Sequence, residues 1–350
     1  MMARSCIPLI LLLIQFSSLV QGIQWFLSDT YIGDSFFSGF THEAIADPTH
    51  GRVQYVDEAT AKSNNLSWAS ATKFRIRADW RAKLSPNGPG RKSVRLQSRK
   101  EWGVSTIVAD ITHMPRGCAT WPAFWTNGPN WPNGGEIDII EGVNDGGPNQ
   151  STLHTGPNCK QPPQGEGSAQ YTGNQAQTNC DARANSNAGC GIHSADGTSY
   201  GPSFDAVGGG WYAMERRSDR ISVWFWPRDS SDVPQDVKTG AAVIHTKAWG
   251  TPYAEFVSDQ CDIPSHFAKH RIIINLSLCG DWAGSAYSSS GCPGTCVDYV
   301  NNNPSAFVVA YWEFNSVKVY TLTGSSFVQK IQDGLKAVQG ILLKKILSPF

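Results

Sequence analysis

Three carboxylates stand within six residues, separated only by isoleucine, in Gly134-Gly135-Glu136-Ile137-Asp138-Ile139-Ile140-Glu141-Gly142. Isoleucine is β-branched and favours a strand, and the glycines mark the ends of the run. Side chains of a regular strand alternate faces, so Glu136 and Asp138 share one face and Ile137 and Ile139 the other. Glu141 then points with the isoleucines. One extra residue, a β-bulge, turns it back beside the other two, and bulges are over-represented next to active sites. The isoleucines argue against a fully solvated edge strand whose acids serve only to prevent aggregation. Like charges side by side raise a pKa. The alternative to a solvated edge is a pair of carboxylates for acid/base and nucleophilic work, tuned by a third between them.

The rest of the chain repeats strand-like segments. Residues 72–78 alternate Lys73, Arg75 and Arg77 against Phe74 and Ile76, and residues 93–98 alternate Val94 and Leu96 against Arg95 and Gln97. Between them Ser85-Pro86-Asn87-Gly88-Pro89-Gly90 is a strong turn signal. Residues 104–111 are more apolar, 151–155 carry His154, 211–215 and 220–226 read as adjacent strands, and 271–278 and 306–320 supply more. With 34 Gly and 20 Pro, many turns and short strands fit better than long helices. The pattern points to an all-β sandwich or barrel-like fold. Trp25, Phe36, Phe37 and Phe40 are candidate core anchors. Residues 156–210 are rich in Gly, Asn and Gln, with three cysteines; they read as a long loop pinned by disulfides, either decorated surface or one wall of a cleft. No repeat or Pro/Ser linker divides residues 23–322.

The ends differ in kind. Residues 1–22 read as a secretory signal: Arg4 is a basic start, residues 7–14 are almost wholly apolar, and Val20-Gln21-Gly22 suits cleavage. The apolar run is too short to span a bilayer comfortably. Nine cysteines become eight once Cys6 leaves with the signal, which in a secreted chain allows up to four disulfides of unreadable connectivity. Cys292-Pro-Gly-Thr-Cys296 has neither a second close pair nor a histidine cluster, so no metal site is expected. Asn65-Leu66-Ser67 and Asn149-Gln150-Ser151 are candidate glycosylation sites, whereas Asn275-Leu276-Ser277 lies in a strand expected to be buried. In residues 326–350, Ile331, Leu335, Val338, Leu342 and Ile346 recur at helical spacing, an amphipathic tail expected to pack on the domain.

Lys and Arg number 29 and so do Asp and Glu, so charge gives no reason to expect nucleic acid or an anionic membrane as partner. Charged residues are 17% of the chain, below the usual quarter. Thirteen tryptophans fill cores or offer stacking platforms for sugar rings.

The stretch Trp131-Pro132-Asn133-Gly134-Gly135-Glu136-Ile137-Asp138-Ile139-Ile140-Glu141-Gly142 resembles the bulged Glu-x-Asp-x-x-Glu signature of glycoside hydrolase family 16, in its secreted fungal laminarinase-like form. Gly117-Cys118-Ala119-Thr120-Trp121-Pro122-Ala123-Phe124-Trp125, Thr152-Leu153-His154-Thr155, Gly209-Gly210-Trp211-Tyr212-Ala213-Met214-Glu215-Arg216 and Cys279-Gly280-Asp281-Trp282-Ala283-Gly284 support it in order, over about residues 25–322. The resemblance implies a β-jelly-roll sandwich of the concanavalin A-like lectin and glucanase type, with a concave sheet as an open cleft, in a catalytic domain over 23–325. It implies endo-hydrolysis of β-1,3- or mixed β-1,3/1,4-glucans with retention at the anomeric carbon. By motif position Glu136 would be the nucleophile, Glu141 the general acid/base, and Asp138 the residue that modulates the nucleophile's charge. His154 would lie near the pair. Trp125, Trp131, Trp282 and Trp121 would bind glucose rings, with core packing as the alternative, and Arg95 would bind sugar hydroxyls or only decorate a strand.

Two other readings share the fold. A transglycosylase would pass the glycosyl group to a sugar hydroxyl, and a non-catalytic glucan-recognition protein need not keep both Glu136 and Glu141; the presence of both counts against the latter. The expected protein is a secreted monomer, extracellular or in the cell wall, acting on a β-glucan with no cofactor and no transmembrane segment in the mature domain.

Overall fold

The computed structural model describes residues 23–322; the expected signal segment 1–22 and tail 326–350 lie outside them. Two antiparallel sheets pack face to face. The first runs in the order Val243–Ile244, Trp25–Tyr31, Tyr311–Thr321, Ser105–His113, Gly210–Arg216, Arg220–Pro227 and Ala254–Val257, with Phe74–Arg77 also pairing Tyr311–Thr321 and Ser67–Ala69 pairing Phe74–Arg77. The second runs Asn174–Gln175, Cys190–His193, Gln150–His154, Glu136–Glu141, Thr120–Asn127, Arg271–Leu278, Arg95–Ser98 and Phe40–His42. This is the all-β sandwich expected. The longest described helix, Cys296–Asn302, has 7 residues.

Alternation explains how the layers meet. Ile107, Ala109, Ile111, Met214, Ile221, Val223, Val317 and Val319 from the first sheet share one core with Phe124, Ile137, Ile139, Ile140, Leu153, Ile272 and Ile274 from the second. The opposite face of the first sheet is covered as well: Trp211, Trp224, Trp226, Ile244 and Tyr320 pack beneath Val233, Val237 and Trp249. Much of the tryptophan content is therefore structural. The opposite face of the second sheet carries the three acids.

Several boundaries move for identifiable reasons. The expected strand at 93–98 divides into Arg91–Ser93 and Arg95–Ser98, because the first half pairs in parallel with Val53–Tyr55 and the second with Arg271–Leu278. The segment expected as a strand from residue 306 begins as a 3-10 helix, Pro304–Val309, with proline in its first turn, before Tyr311–Thr321. Residues 156–210 are more than a loop. Asn174–Gln175 and Cys190–His193 extend the second sheet, and Gly201–Ala206 is helical.

All eight cysteines after Cys6 are paired, as Cys118–Cys292, Cys159–Cys261, Cys180–Cys190 and Cys279–Cys296. Among the described residues no helix is long and apolar enough to cross a membrane.

Candidate active site

The acidic strand is held from its first residue. Gly135 has a φ of +79°, and a Cβ there would lie 2.6 Å from the His266 carbonyl and 2.5 Å from the Phe267 ring, so only glycine fits without strain. The Gly134 carbonyl accepts from Ala268 N at 3.0 Å and lies 2.9 Å from His270 Nε2. The chain therefore enters Glu136–Glu141 at a defined angle.

Inside the strand the expected bulge is present. Asp138 faces Thr152 and Glu141 faces Gln150, which is three steps against two; on the other side Asp138 faces Trp125 and Ile140 faces Phe124, two steps against one. The extra residue lies at Ile139–Ile140. Both of these side chains, with Ile137, are fully buried in the core. Two consecutive isoleucines facing inward reverse the phase of the alternation, so Glu141 returns to the face of Glu136 and Asp138.

The bulge leaves backbone groups without ladder partners, and Asn149 takes them. Its Oδ1 accepts from Glu141 N at 3.0 Å, and its Nδ2 donates to Ile139 O at 2.9 Å and to Tyr253 Oη at 2.8 Å. Ser151 Oγ donates to the same Ile139 carbonyl at 2.9 Å. Asn149 has no exposed surface. This overturns the expectation of a glycan at Asn149-Gln150-Ser151: a glycosylated amide could not enter this position. Asn65 is exposed, and Asn275 is buried with its amide bonded to Trp125 and Tyr55.

The three acids meet different donors. Trp131 Nε1 donates to Glu136 Oε2, and Trp121 Nε1 donates to Glu141 Oε1 at 2.9 Å. Asp138, 1% exposed, approaches His154 Nε2 at 3.3 Å. Burial and then the Asp138 charge push the Glu136 carboxyl well above the usual carboxylate range, while His154 and the Trp131 hydrogen bond oppose this. Burial and then Glu141 push Asp138 well above its usual range, against a hydrogen bond with Glu136. Burial raises Glu141, opposed by Trp121 and His154. Among the described residues no lysine or arginine forms an ion pair with any of the three. The cluster therefore holds protons at pH values where ordinary carboxylates have lost them.

Around the acids the open face is lined by the other expected residues. Trp125 donates from Nε1 to Asn275 Oδ1 at 2.7 Å. The Arg95 guanidinium lies 5.0 Å from the Trp125 ring centroid, and its Nε donates to Glu43 Oε2 at 2.7 Å. Arg95 is thus largely buried, and it supports Trp125. Trp282 stands edge-on to Trp121, centroids 5.7 Å apart. Trp131 is the most exposed of the set, at 47%. The structure brings Trp121, Trp131 and His154 against the acids and sets Trp125 and Trp282 alongside. Sequence reasoning missed Asn149, Tyr253, Glu43 and Asn275 as supports. A sequon match was the one signal at Asn149, and it pointed elsewhere.

Glu136, Asp138 and His154 also bring ligand atoms within 4.8 Å of one another. Two carboxylates and an imidazole are a donor set that a divalent cation accepts. Trp131 Nε1 donates to Glu136 Oε2 beside this group.

Comparison with known proteins adds the following. A family model described as "XgeA-like, catalytic GH16 domain" matches residues 40–320. A probable glycosidase of Schizosaccharomyces pombe is 45% identical over 293 residues, covering 83% of this chain and 68% of that protein. A probable endo-1,3(4)-beta-glucanase of Aspergillus clavatus is 40% identical over 306 residues, covering 85% of this chain and 46% of that protein. The chain spans about half the length of that relative. Among solved structures, Laminarinase 16A of Phanerochaete chrysosporium, with 6-O-glucosyl-laminaritriose in donor and acceptor sites, matches with a TM-score of 0.83 at 55% identity over 85% of this chain and 100% of that one. An elongating family 16 beta-1,3-glucosyltransferase matches with a TM-score of 0.78 at 37% identity, over 85% and 100%.

Proposed function

The chain belongs to glycoside hydrolase family 16, and from that membership we propose that it is an endo-acting hydrolase of β-1,3- or mixed β-1,3/1,4-glucans working by retaining double displacement. One observation carries the proposal: the bulge at Ile139–Ile140 turns Glu141 onto the face of Glu136 and Asp138. A retaining enzyme needs two carboxyl groups on one side of the bond, about 5–5.5 Å apart, in opposite protonation states.

In the first step ionised Glu136 attacks the anomeric carbon while protonated Glu141 gives its proton to the departing glycosidic oxygen. The C–O bond to the leaving sugar breaks and a covalent glycosyl-enzyme forms. In the second step Glu141, now ionised, takes a proton from water; the water oxygen attacks the same carbon and Glu136 leaves as carboxylate. Burial raises Glu141, as a proton donor requires, and raises Glu136 as well, so the division of roles rests on motif position. Asp138 stands on the same face as Glu136, and its charge tunes the pH at which Glu136 ionises. His154 opposes proton uptake by both glutamates. Trp125, Trp131, Trp282 and Trp121 stack glucose rings along the face, and Arg95 stiffens Trp125. The catalytic domain is residues 23–325, secreted under the direction of residues 1–22, with 326–350 dispensable for activity.

The test has two parts. Incubation with laminarin, lichenan and curdlan, with products sized and their first-formed anomer read by NMR, is expected to give short oligosaccharides of β configuration from at least one glucan. Azide added to Glu141→Ala should give a β-glycosyl azide, and added to Glu136→Ala an α-azide; exchanged stereochemistry would reverse the two roles. A second reading, glycosyl transfer to sugar, draws support from the 37%-identical elongating glucosyltransferase. Products longer than the starting laminari-oligosaccharide would favour it.

A further inference from the structure

Asn149 does something the reaction needs but that no chemical step mentions. A bulge exposes an N–H and a C=O that the neighbouring strand cannot reach, and a buried unpaired backbone group costs roughly 1–3 kcal/mol. Here the N–H belongs to Glu141 and the C=O to Ile139, and Asn149 holds both through one amide. The amide is itself held in place. Tyr253 Oη accepts from Asn149 Nδ2 and lies against Ser151 Oγ, which donates to Ile139 O, so the four residues form one closed hydrogen-bonded ring. Ser199 Oγ accepts from the Asn149 backbone N–H at 3.0 Å, and the Asn149 carbonyl accepts from Ser194 N at 2.8 Å. Every polar group of Asn149 is used, and none of its surface is exposed.

We propose that Asn149 is the positioning residue of the acid/base: its side-chain amide clamps the bulge between Ile139 and Glu141, with Tyr253 and Ser151 as its supports, and so fixes the Glu141 carboxyl beside Glu136. Only an asparagine or glutamine side chain offers an acceptor to one backbone group and two donors to others, and glutamine is one methylene too long for this enclosed space. Asn149 touches neither substrate nor reacting atoms. Its effect passes through the Glu141 backbone.

The inference rests on the reading of Glu141 as acid/base, and the experiment separates the two. Asn149→Ala, Tyr253→Phe and Glu141→Gln are compared with the parent, each normalised to folded protein. Readouts are kcat and KM on laminarin, the burst of phenol release from an activated aryl β-glucoside, and turnover with azide. Asn149→Ala is expected to lower kcat on laminarin about 10–100-fold, the scale of a catalytic group displaced by about 1 Å. KM should stay within about twofold and the aryl burst within about threefold, because a good leaving group needs no proton; azide should restore part of the turnover. Tyr253→Phe, which keeps the amide but loosens it, should lower kcat about 2–5-fold in the same pattern.

A fall in melting temperature with kcat per folded molecule unchanged would overturn the proposal, as would an equal fall of laminarin turnover and aryl burst. If Asn149→Ala does not fold, Tyr253→Phe decides alone: an unchanged laminarin kcat sinks the idea. Full laminarin activity in Glu141→Gln would instead sink the acid/base assignment, whatever Asn149→Ala does.

Discussion

Glu141 and Glu313 are the same residue type in opposite settings. Glu313 lies on Tyr311–Thr321, on the face of the first sheet turned away from the core. It accepts from Lys73 Nζ at 2.6 Å, from Arg75 Nε and a terminal nitrogen at 3.1 and 2.5 Å, and from Thr112 Oγ1 at 3.0 Å. Burial disfavours its charge, but these partners prevail and hold it down to about 2. Glu141, with Glu136 and Asp138, meets indole N–H groups and one imidazole instead, and burial prevails. The difference lies in what stands opposite the carboxylate. A cation stabilises the charge and makes the group inert; a neutral donor orients the group and leaves it a proton to give. The open face thus carries repulsion that stability alone would remove, the usual cost of a reactive site.

That contrast breaks first on activity. Glu136→Gln and Glu141→Gln should each lower kcat on laminarin by about a thousandfold or more, since each removes a partner in bond making or proton transfer. Glu313→Gln should leave it within about twofold. The same glutamine variants should move stability in opposite directions at pH 7. Carboxyls raised in the folded state weaken the fold as pH rises past their unfolded values, so Glu136→Gln should raise the melting temperature. A lower one would mean that the cluster is not strained, and the contrast with Glu313 would fail.

Asp138→Asn sharpens the comparison at intermediate size. It should lower kcat about 10–100-fold, less than either glutamate change, because Asp138 acts on charge and not on the sugar. Its sign on the pH profile follows from the geometry. Asp138 is the largest charge that raises Glu136. Neutralising it lets Glu136 ionise at lower pH, so the acid limb of kcat/KM moves to lower pH. A shift to higher pH would contradict the arrangement.

Trp121→Phe should lower kcat only about 2–10-fold. The indole N–H favours the ionised form of Glu141. Its loss raises the Glu141 pKa and moves the basic limb of the profile to higher pH, with little change in melting temperature. An unmoved basic limb would separate Trp121 from the acid/base.

How much of this is legible in sequence depends on the range of the forces. The faces of the acidic strand follow from alternation, and the bulge from Ile139-Ile140 followed by a carboxylate, because these are local rules. The same rules place Phe74, Ile76, Val94 and Leu96 in the interior. They fail for side chains whose partners are distant. Arg95 alternates onto the open face as expected, yet its pairing with Glu43, 52 residues away, is set by the fold. Asn149 matches a three-residue consensus that records accessibility to an enzyme, not the shape of a bulge. Tryptophans that stack in the core and those beside the acids carry the same letter, and only strand order separates Trp224 and Trp226 from Trp121 and Trp125. Residues 156–210 hide two strands because Cys190–His193 finds its pairing edge, Gln150–His154, outside the segment, and Asn174–Gln175 pairs only onto Cys190–His193.

The smallest expected effect tests the other half of the comparison. Glu313→Gln keeps the shape and the Thr112 contact but removes the charge that Lys73 and Arg75 face. Glu313 itself is 9% exposed, whereas its partners are 41% and 35% exposed, so solvent screens part of the interaction. A loss of about 1–3 kcal/mol at pH 7 is expected, between the values for surface and buried pairs. The folded pKa lies below the unfolded one, so this stabilisation is present above about pH 4.5 and is lost as pH falls toward about 2. Parent and Glu313→Gln should therefore differ in denaturant midpoint at pH 7 and converge as the pH is lowered through that window. The Glu136→Gln difference should carry the opposite sign, with the variant more stable than the parent, and it too should be small in acid and grow as pH rises. If both differences had the same sign at pH 7, the two carboxylates would be in the same electrostatic state, and the division between an inert, paired glutamate and a reactive, proton-holding one would not describe this protein.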